Sequence, residues 1–160
     1  MGSSEEMDII DYKPTRYYED LAVGEEFSSR WFSVSENEMI EFSSQFDPQY
    51  FHIDPVRAKD SPFGQIVASG THTFAIWNKL NLEVNGDIAW VAGLGFNEFR
   101  FPNPFLPDVP IQTVSHLVSK RVSEGNPSRG LVVHEYQVID KNGLRIFECS
   151  CPALVVRASK

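Results

Sequence analysis

The chain has 160 residues, 42% of them apolar, and a formal net charge of −8 at pH 7. That length suits one domain able to bury a sizeable core, and the acidic balance argues against nucleic acid, whose phosphates call for clustered Lys and Arg. No stretch approaches about eighteen consecutive apolar residues, so no membrane span is expected, and residues 1–8 carry three acids and no apolar run, unlike a secretory signal.

Residues 1–16 read as a flexible lead-in and residues 17–158 as a single domain. Aromatic and β-branched residues over 26–34 predict a first strand. Ser35-Glu36-Asn37-Glu38 is a capping box, and Met39, Phe42 and Phe46 follow at helical spacing to give that helix an apolar face. Pro48 stops it, which places Asp47 at the helix end. Asp54-Pro55 restarts a helix with an N-cap and a proline at the first position. Ser61-Pro62-Phe63-Gly64 reads as a turn. From Gly70 to about Leu82, Phe74, Trp77 and Leu80 recur at helical spacing with apolar neighbours, as in a helix enclosed by the rest of the fold.

After Asp87 the chain reads as strand and turn. Segments 111–122, 131–139 and 144–156 are rich in β-branched residues and are separated by Gly- and Asn-containing turns. In the first of these, neither alternating set is cleanly apolar, which predicts a strand partly exposed or near an interface. Cys149 and Cys151 fall on one face of the last strand. They lack the second ligand pair of a zinc site and read as reduced thiols in a cytoplasmic protein. No metal is expected, because the four histidines show no pattern of supporting carboxylates. One buried helix followed by antiparallel strands predicts an α+β fold, its sheet wrapped around the helix.

Two segments carry chemistry. In Phe46-Asp47-Pro48-Gln49-Tyr50-Phe51-His52-Ile53-Asp54, a carboxylate and an imidazole flank a proline, placed to grip one water. Taken alone, the same residues also make a plain helix stop and a loop histidine. In Ala68-Ser69-Gly70-Thr71-His72-Thr73, a glycine opens the apolar helix and offers a free amide with the positive end of the helix dipole behind it. Such a donor can stabilise an oxyanion. A glycine there also suits tight packing. Ser69 and Asn78 are further candidates for the same pocket, or else a cap and a packed polar group. Arg57 and Lys59 are candidates for phosphate contacts, or else a solvated helix face.

With Ile66-Val67 before the second segment, Asn97-Glu98-Phe99-Arg100-Phe101-Pro102, and Pro127-Ser128-Arg129-Gly130-Leu131, the chain resembles the MaoC-like acyl dehydratases, also called (R)-specific enoyl-CoA hydratases. The resemblance runs from about Tyr18 to Arg157. It implies a hotdog fold and a hydro-lyase that hydrates trans-2-enoyl-CoA to the (R)-3-hydroxyacyl thioester. It places the catalytic pair on Asp47 and His52 and the carbonyl-binding amide on Gly70. The family pattern usually has Asn where this chain has Gln49, Pro where it has Tyr50, and Pro-Gly-Asp where it has Pro107-Asp108-Val109. The implied ligand is an acyl-CoA or acyl-carrier-protein thioester, with no separate cofactor.

A lone sheet around one helix leaves edge strands and an open helix flank, so a homodimer or dimer of dimers is expected. Two other functions fit the fold: a hotdog thioesterase, for which the central helix offers only Glu83 as its acid, and a non-catalytic acyl-thioester-binding protein.

Overall fold

The computed structural model describes residues 13–158. The expected lead-in lies outside the described residues up to residue 12. At its end, Thr15 and Arg16 are fastened to Asp87 by the Thr15 hydroxyl and the Arg16 guanidinium.

The helical half begins at Ser35. Its hydroxyl accepts from the Glu38 amide, and the Glu38 carboxylate accepts from the Ser35 amide and hydroxyl, forming the expected reciprocal cap. Helix α1 (Glu36–Phe46) then buries Met39 and Ser43. Phe46 departs from the expected apolar face: it is 66% exposed, because the buried positions of α1 end at Ser43, and its ring meets the Phe42 ring at 5.0 Å. Asp47 turns out of the helix at φ −154°, ψ 72°, as a residue before proline must.

Two single-turn helices follow, α2 (Tyr50–Ile53) and α3 (Pro55–Ala58). The Asp54 carboxylate caps α3 by accepting from the Val56 and Arg57 amides. At the expected turn the Gly64 amide donates to the Ser61 carbonyl, with Gly64 at φ +70°.

Helix α4 (Gly70–Asn85) runs about a turn beyond the expected end. Its buried side carries His72, Thr73, Trp77 and Leu80. The opposite flank, with Thr71, Ala75, Asn78, Lys79 and Glu83, is exposed in the single chain rather than enclosed. No helix among the described residues is long and apolar enough to cross a membrane.

The other strands are β1 (Glu26–Ser28), β2 (Trp90–Gly93), β3 (Asn97–Arg100), β4 (Ile111–Val122), β5 (Arg129–Asp140) and β6 (Arg145–Val156). They form one antiparallel sheet ordered β1-β4-β5-β6-β2, with β3 also on β6. The three long strands match the sequence reading. The first strand is shorter than residues 26–34, because the Ser29 hydroxyl takes the Thr113 amide and turns to the Arg30 carbonyl. Pairing resumes only at the Phe32–Ile111 bridge.

A bulge between Leu117 and Ser119 explains the mixed pattern of β4. Before it, Ile111, Thr113, Ser115 and Leu117 all face inward, so half of that buried face is polar. Ser115 meets the Asn85 amide of α4 at 2.8 Å.

Trp77 of α4 packs with Met39, Tyr136, Phe147 and Phe105 in one core; Tyr18, Leu21, Leu117 and Val155 belong to a second. Each fully buried aliphatic side chain contributes about 1.5–3 kcal/mol. Gly130 is required here: a Cβ would stand 2.0 Å from the Tyr18 ring. The fold is α+β, a sheet wrapped around one helix, which is the hotdog arrangement.

Candidate active site

The short α2 and the start of α4 meet at one cavity of about 340 Å³, and Asp47, at the end of α1, stands beside His52. His52 and Gly70 both line it, with Phe51, Phe63, Phe101 and Phe105 supplying aromatic walls.

His52 is almost wholly buried. Its Nδ1 lies 2.7 Å from the Val67 carbonyl. A carbonyl only accepts, so Nδ1 carries the proton, and the neutral tautomer this contact selects presents the Nε2 lone pair on its other side. Nε2 lies 3.7 Å from Asp47 Oδ2, too far for a direct hydrogen bond. In that tautomer both atoms are acceptors, and a water set to one side of the pair can donate one O–H to each, leaving its oxygen lone pairs free. The other carboxylate oxygen of Asp47 accepts from the Gln49 side-chain amide at 2.9 Å. That contact directs Oδ2 toward His52.

Gly70 is the first residue of α4 and its amide has no acceptor among the described residues. The Thr71 amide likewise has no acceptor among the described residues, whereas the His72 amide is taken by the Ser69 hydroxyl and the Thr73 amide by the Ser69 carbonyl. The packing role of Gly70 is also real, since a Cβ there would sit 3.2 Å from two atoms of the Phe101 ring.

The remaining sequence candidates fall elsewhere. Ser69 is fully buried and committed to capping α4, so it does not face the cavity. Asn78 stands two turns along α4 on the exposed flank, outside the cavity wall. Arg57 and Lys59 are exposed and outside the wall as well. Arg57 lies over the Tyr50 ring, 5.0 Å from its centroid, and that ring packs edge-on to Phe51.

His72 and His134 are core groups. His72 stacks on Phe42 at 4.2 Å and burial holds it below the usual histidine range. Burial, then the nearby positive charge of Arg16, pushes His134 down to about 4. Burial likewise pushes the Cys149 thiol up to about 12, so it is an unreactive thiol at neutral pH. Among the described residues, no three His, Cys, Asp or Glu side chains gather as a metal site would require.

The sequence reading missed the Val67 carbonyl and the ring contacts of Phe101 and Phe105. The alternating run Phe99-Arg100-Phe101-Pro102-Asn103-Pro104-Phe105 was the available signal, an apolar segment stiffened by prolines.

Residues 20–138 match the family described as MaoC like domain, and the chain belongs to that family. The fold is similar to the MaoC-like dehydratase from Rhodospirillum rubrum, with a TM-score of 0.84 and 30% identity, covering 91% of this chain and 99% of that one. The uncharacterized protein YdeM of Bacillus subtilis is 28% identical over 87% of this chain and 98% of its own length. The 3-hydroxyacyl-thioester dehydratase Z of Mycobacterium tuberculosis is 32% identical over 61% of this chain and 67% of its own.

Proposed function

We propose that this protein adds water reversibly to a trans-2-enoyl thioester, giving the (R)-3-hydroxyacyl thioester. The observation that carries the reading is the facing pair His52 Nε2 and Asp47 Oδ2, 3.7 Å apart, with His52 lining an apolar cavity that Gly70 also lines. A water held by both has its oxygen free to bond to Cβ. As that bond forms, one water proton passes to the pair and on to Cα, while the other stays on the new hydroxyl. The negative charge that gathers on the thioester oxygen is met by the Gly70 amide at the positive end of α4. Because one water supplies both groups, addition is to one face of the double bond. The dehydratase activity in the name of the mycobacterial relative agrees with the reverse direction.

The carrier in this reading is coenzyme A or an acyl carrier protein. Arg57 and Lys59, neither with a carboxylate partner among the described residues, are the cations nearest in sequence to His52 and are assigned to the carrier's phosphates. The working form is a homodimer or dimer of dimers in the cytoplasm, in which a second copy covers the exposed flank of α4 and the exposed Phe96 and Phe99 near the β3 edge.

The thioesterase alternative gains nothing from the structure. Glu83, the acid it would use, is held through both oxygens by Arg30 at the far end of α4. The test is to incubate trans-2-butenoyl-CoA with the protein and follow the loss of conjugated-thioester absorbance. Chiral analysis of the product should show the (R) alcohol. Release of free thiol in place of hydration would overturn the reading.

A further inference from the structure

No Lys or Arg lines the cavity, so the charged end of a carrier has to be met outside it. Arg57 is the cation beyond His52 with a defined place: its guanidinium lies over the Tyr50 ring, 5.0 Å from the centroid. Tyr50 in turn packs edge-on to Phe51 at 5.0 Å, and Phe51 packs edge-on to His52 at 4.5 Å and to Phe63 at 5.4 Å. Phe51, His52 and Phe63 all line the cavity. Asp54, the carboxylate just before α3, is turned to the Val56 and Arg57 amides, and no carboxylate among the described residues pairs with the Arg57 guanidinium. The stack is a departure of this chain, because the family pattern usually has proline where Tyr50 stands.

We infer that Tyr50 is a positioning residue that holds Arg57 ready for the phosphate at the far end of a pantetheine arm, the group that coenzyme A and an acyl carrier protein share; this rests on the enoyl-thioester reading above. The distances agree. Contacts of 4.5, 5.0 and 5.0 Å in series lead from the His52 ring to the guanidinium, so the two stand no more than about 15 Å apart, the length of about four extended residues. A pantetheine arm has about thirteen bonds from sulfur to phosphorus, again about four residues of extended chain. A thioester at His52 and a phosphate at Arg57 can therefore be held at once. Arginine suits the task, because its planar fork gives a phosphate two parallel N–H bonds while an aromatic ring supports its face. Stacking also fixes in advance a side chain that would otherwise lose freedom on binding.

The test is calorimetric titration of butyryl-pantetheine and butyryl-4′-phosphopantetheine into the full chain. The two differ only in the phosphate, which should strengthen binding to the wild type about ten- to a hundredfold. Arg57→Ala should bring that ratio close to one. The Tyr50 ring can be removed without disturbing the backbone: Tyr50 is the first residue of α2, and Gln49 before it sits at φ −75°, ψ 141°, so proline fits there. Tyr50→Pro should cut the ratio about two- to fivefold, the effect of an exposed cation–π contact, whereas Tyr50→Phe should keep it. An undiminished ratio in Arg57→Ala, or equal ratios in Tyr50→Pro and Tyr50→Phe, overturns the inference. Butyryl-CoA and a butyryl acyl carrier protein distinguish the source of the phosphate: Arg57→Ala should weaken whichever carrier delivers it, and a loss with neither overturns the inference. Rates on trans-2-butenoyl-CoA separate the two readings. A phosphate preference that depends on Arg57, without hydration, overturns the hydratase reading and leaves the phosphate contact standing, whereas hydration without that preference overturns only the latter.

Discussion

Replacing Gly70 by alanine and by proline separates the amide from the space beside it. Both substitutions add a Cβ 3.2 Å from the Phe101 ring, and that ring is 43% exposed and can give by a few tenths of an ångström. Only proline removes the N–H. The helix start is built to accept it: Gly70 is the first helical residue, where proline is favoured. Ser69 before it already sits at φ −67°, ψ 157°, the extended conformation that a residue preceding proline adopts. No hydrogen bond of the fold is lost, because the Gly70 amide has no acceptor among the described residues. Alanine should therefore stay within about 1 kcal/mol of the wild type in stability, and proline close to alanine.

In activity the two should part. An oxyanion donor is worth about 2.7–4 kcal/mol, so Gly70→Pro should hydrate trans-2-butenoyl-CoA about a hundred to a thousand times more slowly than Gly70→Ala. Circular dichroism and thermal melts establish that both variants fold, and initial rates at saturating substrate give the ratio. If folded Gly70→Pro matches Gly70→Ala in kcat, the amide stabilises nothing in the reaction and its assignment is wrong.

Gln49→Ala frees Asp47 Oδ1 and should cost roughly tenfold in kcat with little change in KM, while Gln49→Asn should recover part of it; equal kinetics for all three would show that the contact is incidental. Ser35→Ala removes the cap of α1 and should lower stability by about 1 kcal/mol, read as a Tm several degrees lower. His134 is held neutral down to about pH 4 when folded, whereas the unfolded chain takes up a proton below about 6.5, so stability should fall as pH drops from about 6.5 to about 4. Denaturant melts across that window should show a shallower acid slope for His134→Gln, and an unchanged slope would place the titrating group elsewhere.

What the sequence made legible is what short range encodes. The Ser35–Glu38 cap, the proline stop after Asp47 and the Asp54 cap are each set within a few residues, and each forms as read. The long strands β4, β5 and β6 follow from β-branched runs between Gly and Asn turns. The early end of β1 depends on Ser29 meeting Thr113 across the sheet, and the β4 bulge on its partner strand, so neither had a local signal.

The site divides the same way. Asp47 and His52 stand close because a proline turn and one helical turn separate them, and Gly70 joins them because Val67, just before α4, accepts from His52. Asn78 lies on the exposed flank of α4, outside the cavity wall, because helical spacing gives a direction around α4 without saying which direction faces the cavity. The place of Phe105 beside α4 had no local signal, because it depends on the β3–β4 connection folding back so that the Phe105 carbonyl accepts from the Ala68 amide.

The central claim is that Asp47 and His52 act on one shared water, and a double-mutant cycle on the hydration rate tests it most directly. Asp47→Asn keeps the shape of the carboxylate, and His52→Gln keeps a donor for the Val67 carbonyl, so both should fold. Each alone should slow hydration by about a hundredfold to ten-thousandfold. Because either loss already spoils the same water, the double variant should be about as slow as the slower single variant. Two independent losses that multiply in the double variant would contradict a shared water and, with it, the mechanism.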